Sequence, residues 1–227
     1  MTDLFKSSHV TGALYFTDQG HFIFKYKEMN SWQSTPVDNH TVSKSIREPE
    51  VAAAFSHIGS DSGYLQNGVI RVGNNSQGAW FVFVKKPAKY TIEIIGKGKM
   101  TIPVPLLVLI GAKGLFNIYA IAAKEFSPDA IAYNAPFPNV NSTGWICWGT
   151  GNKPPKATAN KANEVMDLFF KSPFNNDLRN GKSKSCPDDI TLKYPLITNK
   201  DQYPVKDLVS MNRSIGRVID EQIQDRS

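Results

Sequence analysis

Apolar and polar positions alternate in short runs over much of the chain, which is the period of strands rather than helices. Ala13-Leu14-Tyr15-Phe16 and Phe22-Ile23-Phe24 flank Asp18-Gln19-Gly20, which predicts a hairpin over residues 10–26. A short helix is expected over 49–57, with Pro49 in its first turn and Val51, Ala52 and Phe55 facing inward. Residues 69–72, 80–84, 90–95, 106–110 and 115–121 then read as strands, each short and bounded by Gly, Pro, Asn or Lys turns. Turns this short suit antiparallel pairing, because parallel strands need long crossovers, so a β-meander is the expected topology.

The pattern changes after the strands. Residues 125–151 contain Pro128, Pro136 and Pro138 and little periodicity, which predicts an extended, proline-rich loop. Asn160 is placed to cap a helix running to about residue 170, with Val165, Met166, Phe169 and Phe170 on its inner side. Residues 171–203 turn to Asn, Lys, Asp, Ser and Pro and read as a long loop or a partly disordered excursion. A final helix is expected over 205–224, where Leu208, Met211, Ile215, Val218 and Ile219 recur at helical spacing and Gly216 weakens it by about 1 kcal/mol. The expected organisation is α+β: residues 1–60 a hairpin and helix of the same fold, 61–174 a core with the proline-rich loop, 175–227 a loop and terminal helix.

The candidate chemistry sits in Pro138-Asn139-Val140-Asn141-Ser142-Thr143-Gly144-Trp145-Ile146-Cys147. A thiol that attacks a thioester, and is later displaced by an amine, passes through tetrahedral states whose oxyanion needs a donor, and an asparagine amide can supply it. Cys147 is the candidate nucleophile and Asn139 the candidate donor. Gly144 permits the sharp turn that brings the two together. Taken singly, these features are ordinary: a cysteine between Ile146 and Trp148 suits an apolar interior, and Pro-Asn with a nearby glycine is common turn chemistry. The ordered string is more specific than its parts.

That string resembles the active-site segment of E2 ubiquitin-conjugating enzymes, in which a proline-asparagine pair leads through a glycine turn to an isoleucine or valine and the thioester-forming cysteine. The resemblance is strongest to the prokaryotic E2-like branch known as PRTRC system protein B. It rests on a proline-rich apolar strand (Ile102-Pro103-Val104-Pro105-Leu106-Leu107-Val108), on Ala135-Pro136-Phe137-Pro138-Asn139-Val140, on Ile146-Cys147-Trp148-Gly149, and on Phe169-Phe170-Lys171-Ser172-Pro173-Phe174. It implies an E2/UBC-like antiparallel meander with packed helices, an active-site loop containing Pro138, Gly144, Ile146 and Trp148, and a transferase that carries a ubiquitin-like modifier on Cys147. The implied partners are a ThiF-related E1-like enzyme and a small ubiquitin-like protein, in a bacterial cassette carried on plasmids or other mobile elements; the acceptor is not implied. Two departures stand out. Phe137 replaces the histidine that precedes the Pro-Asn pair in eukaryotic E2 enzymes, and Trp148-Gly149 removes the acidic residue that follows the cysteine, with no replacement evident in 150–163.

Composition adds bounds. At 227 residues, 41% hydrophobic and 20% charged, the chain has the make-up of a soluble globular protein with a substantial core. Its first residues lack the apolar core of a signal peptide, and Pro103, Pro105, Lys113 and Asn117 interrupt the longest apolar region, so a cytoplasmic location without a membrane span is expected. Cys147 and Cys186 have no second Cys or His at a metal-ligand spacing, and His9, His21, His40 and His57 are dispersed, so neither metal nor cofactor is expected. The net charge of +6 and isoelectric point near 9.2 raise a nucleic-acid reading. Arg71, Lys85, Lys86, Lys89, Lys97 and Lys99 carry much of it, and they read first as a solvated strand-and-turn surface, because the lysines cluster at predicted turns. Beside the conjugating reading stand two rivals: a non-catalytic E2 variant that binds the modifier without bonding to it, and a basic plasmid-maintenance protein that binds DNA.

Overall fold

A computed structural model describes residues 12–16, 22–28, 31–37, 65–75 and 77–224. The chain divides into two compact units, 1–61 and 62–227. In the first, β1 (Gly12–Phe16) and β2 (Phe22–Glu28) pair antiparallel from Gly12↔Tyr26 to Phe16↔Phe22, as the hairpin pattern requires. A third strand, β3 (Ser31–Val37), completes a sheet in the order β1-β2-β3; its polar sequence gave no apolar alternation to read. The helix expected over 49–57 lies outside the described residues.

The second unit holds β4 (Val69–Asn75), β5 (Gly78–Lys85), β6 (Ala88–Ile94), β7 (Gly98–Val104), β8 (Leu106–Ala112), β9 (Leu115–Ile121), β10 (Ile131–Asn134) and β11 (Ser210–Ser214). All pairings between them are antiparallel. The strand order is β11-β10-β9-β8-β5-β4, with β6 and β7 forming a separate two-stranded ribbon. This corrects the simple meander, since β5 pairs with β8 rather than with its successor. Pro87 and Pro105 stand where the chain leaves and rejoins the sheet, and a residue without an N–H cannot continue a ladder. The apolar run 102–108 is accordingly two strands broken at Pro105.

β8 is buried along its whole length because both faces of the sheet are covered. Leu107 and Leu109 enter one core with Phe81, Phe83, Phe116, Ile118 and the inner face of helix α1 (Ala162–Lys171). Leu106, Val108 and Ile110 enter the other with Val82, Tyr119, Ile121 and helix α2 (Ile215–Ile223). In α1, Val165, Met166, Phe169 and Phe170 are buried as the pattern predicts. Its start differs: Lys161 is the N-cap without a side-chain bond, and the Asn160 carboxamide instead accepts from the Thr158 hydroxyl.

The terminal helix is shorter than expected. Residues 205–224 contain a 3₁₀ turn (Val205–Asp207), then β11, then α2, which begins where the Ser214 hydroxyl accepts from the Arg217 N–H. Nor is 171–203 an excursion. It carries 3₁₀ turns at Ile190–Leu192 and Tyr194–Leu196, buries Ile190, Tyr194 and Ile197 completely, and the Tyr194 hydroxyl donates to the Pro136 carbonyl at 2.9 Å. Two carboxylates brace it. Burial alone would raise Asp189, but the hydroxyl and N–H of Thr191, with Lys97 and Arg179, outweigh it and hold the carboxyl below its ordinary value. Asp207 is likewise held down, against burial, by Ser183, Ser185 and Lys193.

Candidate functional site

Residues 144–146 lie along the free half of β9. β10 occupies that strand's edge at Tyr119, Ala120 and Ile121. The other half is taken by the segment before Cys147: the Ile118 N–H donates to the Gly144 carbonyl at 2.8 Å and the Ile146 N–H to the Phe116 carbonyl at 3.0 Å, with an antiparallel bridge at Asn117↔Trp145. Gly144 has a φ of +85°, and a Cβ there would stand 2.5 Å from the Tyr119 ring, so the turn requires glycine for both space and conformation. The Tyr119 hydroxyl donates to the Thr143 carbonyl at 2.6 Å, tying the same turn to the sheet.

The turn folds the segment onto itself. Asn141 is its organiser: its carboxamide oxygen accepts from the Thr143 N–H, the Thr143 hydroxyl and the Trp145 N–H, and its own N–H donates to the Trp145 carbonyl. Val140 bridges Ile146, and the Cys147 N–H donates to the Asn139 carbonyl at 2.7 Å. The nucleophile and donor candidates are therefore direct cross-strand partners. Cys147 is half-buried and unbridged.

Asn139 adopts a φ of +60°, a conformation asparagine tolerates better than most residues. Its N–H donates to the Asp177 carbonyl at 3.1 Å, and its carboxamide oxygen accepts from the Asn175 N–H at 3.4 Å. That contact orients the carboxamide and leaves its Nδ2 without a hydrogen-bond partner among the described residues. A fixed amide with an uncommitted N–H₂ is what oxyanion stabilisation asks of a donor.

The remaining site residues are placed by aromatic packing. Phe137 is fully buried, stacked on Phe174 at 5.8 Å and edge-on to Phe169 and Phe170 at 5.4 and 5.7 Å. Trp148 packs edge-on against Phe116 and Phe169 at 5.9 and 6.3 Å, so the residues on either side of Cys147 are both held by the core. The Phe169-to-Phe174 motif contributes this packing. It also anchors the ribbon, because the Phe174 N–H donates to the Glu93 carbonyl and its own carbonyl accepts from the Ile95 N–H.

Two residues escaped the sequence reading. Asp177, from a part of the chain outside 150–163, accepts the Asn139 N–H on its backbone carbonyl, while its exposed carboxylate is bonded to Asn175 at 2.7 Å. Lys182, only 2% exposed, donates to the Asn141 carbonyl at 3.2 Å. The turn residues Asn175 and Asn176 before Asp177 signal a loop, but nothing local says which segment that loop meets.

Each named cation of the basic region has a neighbouring acid or aromatic ring. Arg71 pairs with Asp220, Lys86 with Glu125, Lys89 with Asp201, Lys97 with Asp189 and Lys99 with Glu93, while Lys85 lies 6.0 Å over the Tyr90 ring. Arg71 stands on a strand as expected, whereas Lys85, Lys89 and Lys99 stand on strands rather than at the predicted turns.

The family described as prokaryotic E2 family D matches residues 44–211, most of the chain and all of the site. The chain belongs to that family. No curated protein and no solved structure gives a match. Membership assigns this prokaryotic E2 a general E2-like role, with an E1-like enzyme and a ubiquitin-like protein as the partners the family implies. The PRTRC protein B resemblance is consistent with it, and the antiparallel α+β architecture fits a UBC-like fold. Among the described residues, no helix is long and apolar enough to cross a membrane.

Proposed function

We propose that this protein accepts the C-terminal carbonyl of a ubiquitin-like modifier as a thioester on Cys147 and passes it to an amine, within a PRTRC-type cassette. The observation that supports the reading is the backbone hydrogen bond from Cys147 to Asn139, which ties the position of a half-buried cysteine to that of an asparagine whose carboxamide N–H₂ is uncommitted among the described residues. In the charging step the Cys147 thiolate attacks the modifier's thioester on the E1-like enzyme. The Asn139 amide donates to the oxyanion of the tetrahedral state, and the enzyme's thiolate leaves as the new thioester forms. In discharge an acceptor amine attacks, loses its proton, and expels Cys147 as thiolate.

Asp177, bonded to Asn139 through its backbone carbonyl, is our candidate for the carboxylate that the residues after Cys147 lack. An attacking lysine must be held and deprotonated, and in this reading a carboxylate on the segment bonded to Asn139 attracts the ammonium and orients the neutral amine. This favours transfer over the non-catalytic variant, while the paired cations speak against the DNA-binding rival.

The deciding experiment is a charging assay with the cassette's E1-like enzyme, modifier and ATP. Wild type and Cys186→Ala form an adduct cleaved by reducing agent, and Cys147→Ala does not. An undiminished adduct on Cys147→Ala overturns the assignment. Once charged, Asp177→Asn discharges to lysine at least about tenfold more slowly than wild type but to a small thiol at the same rate, in the range of a lost acid–base contribution. Equal slowing with both acceptors removes the orienting role.

A further inference from the structure

We propose that Lys182 is a positioning residue for the loop that carries Cys147, its buried ammonium holding the Asn141 carbonyl and, through that turn, the pairing of Asn139 with Cys147. The functional consequence rests on Cys147 being the acylated thiol; the geometric claim does not.

Lys182 is among the largest fully buried side chains of the protein, and its Nζ reaches one hydrogen-bond acceptor, the Asn141 carbonyl. Among the described residues no carboxylate pairs with it. Of the acids of its own region, Asp177 is engaged with Asn175, Asp189 with Arg179, Lys97 and Thr191, and Asp207 with Lys193, Ser183 and Ser185, while Asp188 is exposed. Burial pulls its ammonium down to about 8.

An unpaired buried ammonium is a net cost to folding. A methionine would fill the same slot without that cost. Stability therefore does not account for a lysine here, and its one contact is on the turn that sets the site. The Asn141 carbonyl also accepts from the Gly144 N–H, so loss of the ammonium does not orphan it. The ammonium adds an electrostatic hold to a turn otherwise kept by neutral hydrogen bonds. The next rung along is Cys147 N–H to Asn139.

The test compares the full-length wild type with Lys182→Met by thermal melting and by hydrogen exchange, following protection factors of the amides in 139–147. Lys182→Met is expected to melt at the same temperature or higher, while protection in 139–147 falls about tenfold and protection elsewhere is unchanged. Wild type is expected to show the same local loss between pH 7 and 9, as the ammonium is lost through about 8, whereas Lys182→Met is flat over that range. In single-turnover discharge, Lys182→Met lowers the maximal rate without raising the acceptor concentration needed for half-saturation. Unchanged loop protection in Lys182→Met, a flat wild-type profile, or a lower melting temperature with protection lost throughout each overturns the proposal. Should the variant fail to fold, the wild-type pH series still decides. Exchange needs no modifier, so a protein that is never charged sinks the thioester reading and leaves this result standing.

Discussion

At the scale of single residues the site is a set of conformational commitments, and Asn139 shows how to separate them. Its positive φ means that Asn139→Ala combines loss of the amide with a left-handed strain of about 1–2 kcal/mol, so alanine alone confounds catalysis with folding. Asn139→Gly removes the amide and tolerates the conformation. We expect Asn139→Gly to stay within about 1 kcal/mol of wild type in urea unfolding while discharging the modifier about 10²–10³ times more slowly, the usual effect of losing an oxyanion donor. Wild-type discharge by Asn139→Gly, alongside a destabilised Asn139→Ala, would assign Asn139 to bracing alone. Phe137 illustrates the opposite kind of residue. Surrounded by Phe169, Phe170 and Phe174, it supports the loop by packing, and Phe137→Ala is expected to cost about 3–5 kcal/mol in unfolding free energy.

At the scale of elements, the most informative position is Gly216 in the first turn of α2. Helix propensity predicts that alanine there adds about 1 kcal/mol of stability. The structure reverses the sign. The Gly216 N–H donates to the Pro128 carbonyl at 2.8 Å, and an added Cβ would stand 2.9 Å from that same oxygen, with the backbone rather than a yielding side chain in the way. Gly216→Ala is expected to lose about 1–3 kcal/mol, read as a lower urea midpoint at unchanged slope. A gain would mean that α2 shifts freely away from Pro128. The same logic explains the shortened helix: β11 is drawn into an extended form by its pairing with β10, a partner far away in sequence, although Leu208 and Met211 fit a helical pattern.

At the scale of the whole molecule, ionisation links the irregular segment to stability. Asp189 and Asp207 are both depressed from an ordinary value of 3.8, so each binds its proton less readily folded than unfolded. Their contribution is present above that value and is lost as pH falls through the lower folded values. Stability should therefore decline below about pH 4, with Asp207→Asn flattening the decline between pH 4 and 2 in acid unfolding followed by tryptophan fluorescence. An unaltered acid limb in that variant would show that other carboxylates dominate it.

Sequence alone determined what depends on near neighbours. The strand period of β5, β8 and β9, the inner face of α1, and the ordered Asn139, Gly144 and Cys147 were legible because rotamers, turn chemistry and periodic burial act within a few residues. Tertiary structure decided the rest. That β6 and β7 leave the sheet, that Asp177 reaches Asn139, that Lys182 lies beneath Asn141, and that Gly216 meets Pro128 are all contacts between distant segments. Local propensity cannot rank such pairings, because their free energy comes from surface buried and hydrogen bonds satisfied only when both segments are already in place.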